Sequence, residues 1–158
     1  MILDLCDYIN DSVRMLVLLK NTASKKSLKM TEYKITLYDY FLKFPYTMME
    51  KAAEKYGFEE NIDEYYSFFH WQPDLVKYRQ ALNYLIAKGF VVKNDEICYQ
   101  ITELGIEALQ KINNDYLNNL DAFCSECVIP NLYKLSDKKI GDDIQLKANI
   151  ITLRGLVK

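Results

Sequence analysis

A chain of 158 residues, half of them apolar and 27% charged, is long enough to bury a core without disulfide or metal staples. Its formal charge is −2, with 20 basic against 22 acidic residues, so it lacks the basic excess on which dedicated DNA-binding domains draw for phosphate neutralisation. No apolar run approaches the roughly 20 residues of a membrane span, and the opening MILDLCDYIND carries three acids and no basic residue, unlike a secretory leader; the expected location is the cytoplasm.

A first helix is expected over residues 3–20, where Leu5, Ile9, Val13, Leu16 and Val17 recur at helical spacing and form one buried stripe. The polar NTASKKSLK then leads to Thr31, which can cap a second helix running to Phe44. Leu37, Tyr38, Phe41 and Leu42 form its apolar face, and Pro45 marks its end. TMMEKAAEKYG reads as a short helix closed by Gly57 in a left-handed cap.

FEENIDEYYSFFHWQP mixes acids with the aromatics Tyr65, Tyr66, Phe68, Phe69 and Trp71, and its period fits either a short helix or irregular chain. Aromatic groups anchor interfaces, but core packing is their commoner fate, so both uses stay open here.

Pro73 fits the first turn of the next helix, which runs to Lys88 with Gly89 just past its end. At about 3.6 residues per turn, Leu75, Tyr78, Leu82, Leu85 and Ile86 face inward. Lys77, Gln80, Tyr84 and Lys88 face outward, and Arg79 sits on the shoulder, where it covers apolar surface or pairs with a carboxylate. A strand over residues 90–93, a tight turn at Asn94 and Asp95, and an alternating strand over residues 96–101 form a hairpin. Thr102 caps a long helix whose stripe, Leu109, Ile112, Tyr116, Leu120, Phe123 and Cys127, continues until Pro130 interrupts it. The tail, LSDKKIGDDIQLKANIITLRGLVK, reads as another short helix with a frayed or docking end.

This order predicts a mainly α (α+β) protein. A winged helix-turn-helix core with a two-stranded wing spans residues 1–109, and residues 110–158 form a long C-terminal helical extension of the same domain. In a DNA reader of this kind the helix before the wing enters the major groove. The residues available for that are Lys77, Gln80, Tyr84, Lys88, Lys93 and Asn94, with lysines suited to phosphate and glutamine to adenine. Against this, the wing carries Asp95 and Glu96, which repel phosphate, and residues 71–100 hold four basic side chains against three acidic ones. A protein-docking use of the same scaffold is favoured, with Tyr65, Tyr66, Phe68, Phe69, Trp71 and Tyr84 as partner-interface candidates.

Catalysis has less support. His70 is the single histidine, and no phosphate-binding glycine loop, nucleophile elbow or H-E-x-x-H run is present, so no catalytic residue, metal ligand or cofactor is expected. Cys124 and Cys127 have C-x-x-C spacing; core packing is the favoured reading and metal or redox use the alternative.

The order of segments resembles the middle component of bacterial ABC-three-component systems, type 2, a group that includes the small subunit of Lamassu-type antiviral defence operons. INDSVRMLVLL resembles the family's opening helix, with Arg14 as its basic residue. KITLYDYFLKFP is similar to a segment built on an aspartate, an aromatic and leucines, here Asp39, Tyr40 and Leu42. His70, Pro73, Arg79, Leu82, Leu85 and Gly89 take family positions in the stretch before the wing, and Tyr99, Thr102 and Gly105 those after it. The acidic segment after the second helix and the C-terminal tail depart from the pattern. The resemblance implies a non-catalytic adaptor in a cytoplasmic ATPase–effector complex. Its partners would be an SMC-like ABC-type ATPase and a nuclease-type effector, with DNA met only through the complex, and with no membrane and no small-molecule substrate.

Overall fold

The computed structural model describes the backbone of residues 2–157 and the side chains of residues 8–68, 70–154 and 156. It is mainly helical, with one two-stranded antiparallel sheet. Helix α1 (Ile2–Thr22) is the central element, packing on α2 (Glu32–Lys43), on α6 (Leu75–Ala87) and on the hairpin that follows. Met15 to Leu19 are all buried, so this turn of α1 is enclosed on every side rather than along one stripe, and Ile9, expected inside, is exposed. Residues 35–42 of α2 are buried without interruption. Two helices enclosed all round at their contact give the domain its core.

Short polar side chains set the element ends. Thr31 caps α2 by accepting from the Lys34 amide at 3.2 Å, and Gly57 and Gly89 adopt the left-handed conformation at φ +83° and +78°. Pro45 starts a helix rather than only ending one: α3 (Pro45–Met48) follows at once, and α4 (Glu50–Lys55) comes after a break at Met49. Proline suits a first helical position because its missing N–H has no intrahelical partner there. The amides of Tyr46 and Thr47 at the start of α3 donate to the buried carboxylate of Glu64 at 3.3 and 3.0 Å. Glu64 lies on α5 (Ile62–Tyr65), so it pins the aromatic segment to α3. Pro73 lies one residue before the Asp74 cap of α6, not in its first turn, and Leu75 is exposed.

The hairpin pairs β1 (Val91–Lys93) with β2 (Tyr99–Ile101), Val92 opposite Gln100. Thr31 adds a single antiparallel bridge to Cys98, which ties the start of α2 to the sheet. The turn is longer than the expected Asn94–Asp95 pair. Asn94 and Cys98 close it (N···O 2.9 Å), the Ile97 amide donates to Asn94 O, and Ile97 itself holds φ +62°. A type I turn followed by one left-handed residue matches the right-handed twist of the strands, and here that residue is β-branched.

Beyond the hairpin, Thr102 caps α7 (Glu103–Gln110), but the expected long helix is divided. Asn114 accepts from the Leu117 amide at 2.8 Å and opens α8 (Asp115–Phe123), which turns Ile112 and Tyr116 to solvent. Pro130 does not interrupt the next stretch. One widened turn over Cys124–Val128, with the Ile129 amide reaching back to Cys124 O, precedes α9 (Ile129–Leu132). That widening accommodates the missing proline N–H and its ring without breaking the helix. Asn131 Nδ2 donates to the Cys127 carbonyl at 2.6 Å. The tail is not a short helix: α10 (Asp137–Val157) has 21 residues and packs on α2, α3 and α5 through Ile140, Ile144, Ala148 and Ile151. Among the described residues, no helix is long and apolar enough to cross a membrane.

Candidate functional site

The outward face of α6 and the adjoining hairpin carry several exposed apolar side chains. Val76 and Ile97 are each 62% exposed, and Leu75, Tyr84 and Val92 are also open. Leu75 and Val76 open α6, whereas Tyr84, Val92 and Ile97 lie toward its far end and on the hairpin; exposed apolar groups of this size are candidate contact points. Sequence reasoning missed Leu75, Val76, Val92 and Ile97. Val92 had a signal, because a two-stranded ribbon buries alternate residues and Val91 takes the inner position.

Basic groups around this face are partly cancelled. Arg79 makes a forked contact with Glu32 (Nη2–Oε1 2.9 Å, Nε–Oε2 3.3 Å), the carboxylate pairing anticipated for a shoulder arginine. Lys29 pairs with Glu96 at 2.6 Å. Of the six residues considered for DNA, Lys77, Gln80, Tyr84 and Lys88 are exposed along α6 and its cap, and Lys93 and Asn94 lie on the hairpin. Asn94 turns its carbonyl oxygen on the amides of Glu96 and Cys98, both at 3.0 Å, so it builds the turn rather than a reading surface. Lys93 lies 5.7 Å over the Tyr99 ring and Lys88 5.7 Å over the Tyr84 ring. Lys77 lines a separate cleft beside His70. Gln80 is exposed, and its backbone carbonyl accepts from the Tyr8 hydroxyl at 3.0 Å.

The aromatic candidates divide as well. Tyr66 is exposed, Phe68 and Trp71 pack half-buried against the core, and half-buried Tyr65 donates its hydroxyl to Glu60 at 2.5 Å. Tyr84 stacks edge-on with Tyr8 at 5.4 Å between ring centres. The Phe69 side chain lies outside the described residues. Among the described residues of this set, Tyr66 and Tyr84 are the exposed ones.

Behind the α6 face lies a buried polar cluster. Arg14 of α1 makes two contacts with Asp39 of α2, at 2.9 and 3.1 Å, and a third with Asp11. The Tyr78 hydroxyl of α6 donates to Asp39 at 2.5 Å. Burial works against the Arg14 charge, but Asp39 and Asp11 more than offset it, and its pKa lies above the usual arginine value. Burial and then Asp39 raise the Tyr78 phenol well above its ordinary range, which keeps it a neutral donor. Three helices thus meet on one carboxylate. The sequence put Arg14 and Asp39 forward only through the family resemblance and gave no sign that they touch.

A second apolar strip runs along α10, where Leu146, Ile150 and Leu153 are at least half exposed and lie opposite its packed face. Cys124 is fully buried, and that burial pushes its thiol up to about 12, far from a reactive thiolate. Cys98, Cys124 and Cys127 are all free thiols. Among the described residues, no three His, Cys, Asp or Glu side chains are grouped to hold a metal ion. Compared with known proteins, the chain matches no family model, no curated protein and no solved structure.

Proposed function

We propose that this chain is a winged-helix docking subunit: a non-catalytic adaptor that joins an SMC-like ABC-type ATPase to a nuclease-type effector in an antiviral defence complex. In this reading α1, the Thr31 bridge, α2, α6 and the β1–β2 hairpin are the winged core, and α3 to α5 are an insertion that α10 covers. The observation that carries the docking role is the character of the α6 and hairpin face. This face presents Val76, Tyr84, Val92 and Ile97 beside Lys77, Lys88 and Lys93, and its nearest guanidinium is tied to Glu32. Desolvating such a surface favours a protein partner over a phosphate backbone. The α10 strip supplies a second apolar surface on a different element, which suits a subunit with two neighbours. The choice of partners rests on the sequence resemblance.

Co-purification from the intact operon tests the reading. The chain is expected to arrive with an ATPase, and a Val76→Asp, Ile97→Asp variant that melts normally is expected to lose one neighbour. The rival is a DNA-binding transcription regulator using Lys77, Gln80, Tyr84, Lys88 and Lys93. Tight duplex binding with a steep salt dependence, abolished by Lys77→Ala and Lys88→Ala, would establish the rival and remove the adaptor reading.

A further inference from the structure

Between the C-terminal end of α2, residues 70–73 and the start of α6 lies a cleft of about 340 Å³, which the docking reading does not use. That volume lies at the small end of ligand sites, which run from about 300 to 1,000 Å³. Its walls combine aromatic rings with two carboxylates, two lysines, an imidazole and an amide. Phe44 and His70 lie nearly parallel and offset, with ring centres 5.9 Å apart and planes 22° apart, and half-buried Trp71 lines the same cleft.

The carboxylates in this wall are already engaged. Asp11 is held by Arg14, and Asp74 caps α6 by accepting from the Lys77 amide at 3.2 Å. The uncommitted polar groups are Lys43, Lys77, the His70 imidazole, the Trp71 indole N–H and the Gln72 amide. Among the described residues none of these five side chains has a hydrogen bond or a carboxylate partner. Burial, then Lys43, then Lys77 depress the His70 pKa, so both ammonium groups act on the ring from opposite helices. A site whose free groups are donors and cations, set beside stacked rings, is complementary to an anion carried on a planar ring.

We propose that this cleft binds a nucleoside 5′-phosphate, with the phosphate between Lys43 and Lys77 and the base against Trp71 and the Phe44–His70 stack. The same chemistry is offered by a free mononucleotide and by the 5′-phosphorylated end of a nucleic-acid strand. The ligand is held, not transformed. This inference does not need the docking role: of the groups placed on the outer face of α6 only Lys77 reaches the cleft, and none of its lining comes from the hairpin.

Trp71 is the single tryptophan of the chain, so its emission reports on the cleft alone. The full-length protein is titrated at low salt with AMP, adenosine, inorganic phosphate, and a short oligonucleotide with and without a 5′-phosphate. A saturable change with AMP or with the phosphorylated oligonucleotide is expected, at least tenfold tighter than with adenosine, phosphate or the unphosphorylated strand. AMP alone binding identifies a free nucleotide, and the phosphorylated strand alone identifies a strand end. A Lys43→Gln, Lys77→Gln variant with an unchanged thermal melt is expected to bind at least tenfold more weakly. Single Lys43→Gln serves the same purpose if the double variant melts early. No saturable response in wild type, binding retained in the variants, or inorganic phosphate binding as tightly as AMP overturns the proposal.

Discussion

Arg14 and Asp39 form a forked ion pair across α1 and α2, with Asp39 wholly shielded from solvent and Tyr78 of α6 closing its remaining side. Removing one partner of such a pair leaves a charge in low dielectric, which costs about 3–5 kcal/mol, whereas removing both with apolar side chains of similar volume is often close to neutral. Asp39→Leu alone is therefore expected to lower unfolding free energy by about that amount, and Arg14→Met, Asp39→Leu together by clearly less than the sum of the singles. Urea unfolding of the four proteins measures the coupling. Additive losses would mean that the two charges do not depend on each other.

Gly105 sits inside α7, where alanine ordinarily raises helix stability by about 1 kcal/mol. A Cβ there would lie 2.4 Å from the Phe90 carbonyl oxygen and 2.8 Å from Ile101 Cγ1. The backbone neighbour cannot yield as a side-chain tip can. Gly105→Ala is thus expected to destabilise by about 1–3 kcal/mol, the reverse of the propensity rule, by prying α7 from the hairpin. A thermal melt that rises or stays level would show that the contact relaxes freely.

Ile97 combines φ +62° with an exposed side chain, which leaves little packing to offset the strain of a β-branched residue in the left-handed region. Ile97→Gly is expected to raise stability by about 0.5–1.5 kcal/mol while weakening partner capture by the hairpin tip. A lower melting temperature for the glycine variant would count against stored strain. Unchanged co-purification would count against the tip as a contact.

The His70 ring faces Lys43 from α2 and Lys77 from α6, with Asp63 acting weakly in the opposite sense. Burial and the lysines lower its pKa, so below pH about 6.5 the folded chain binds fewer protons at this site than the unfolded chain does. The sign follows: stability from this group is present at neutral pH and is lost as pH falls from the unfolded value through the folded one. A proton NMR titration of this single imidazole should give a midpoint below the free value, and Lys43→Gln should move it up. A midpoint at or above the free value would contradict the cationic surroundings described for the cleft.

Local chemistry was legible in the sequence. Thr31 and Thr102 cap where expected, and Gly57 and Gly89 stop their helices. Lys77, Gln80, Tyr84 and Lys88 all face solvent, because each of these features depends on a few neighbouring residues. What was missed depends on partners distant along the chain. Arg14, Asp39 and Tyr78 lie on three helices, and no periodicity reports that a charged residue will meet its counterpart. The α10 helix hid for a different reason: it carries apolar residues on two faces, which blurs the period that marks a helix packed on one side. The break at Asn114 was concealed by a stripe that runs on in register past it.

The two faces of α10 also have a mechanical meaning. Its inner row is seated on α2, α3 and α5, and α2 holds Arg14 of α1 through Asp39. Any body that grips Leu146, Ile150 and Leu153 therefore pulls on a helix clamped along its other side, so the load passes into the centre of the domain instead of peeling off a loose tail. A body held at α10 would find a stiff handle there, and the buried Arg14–Asp39 pair links that handle to α1.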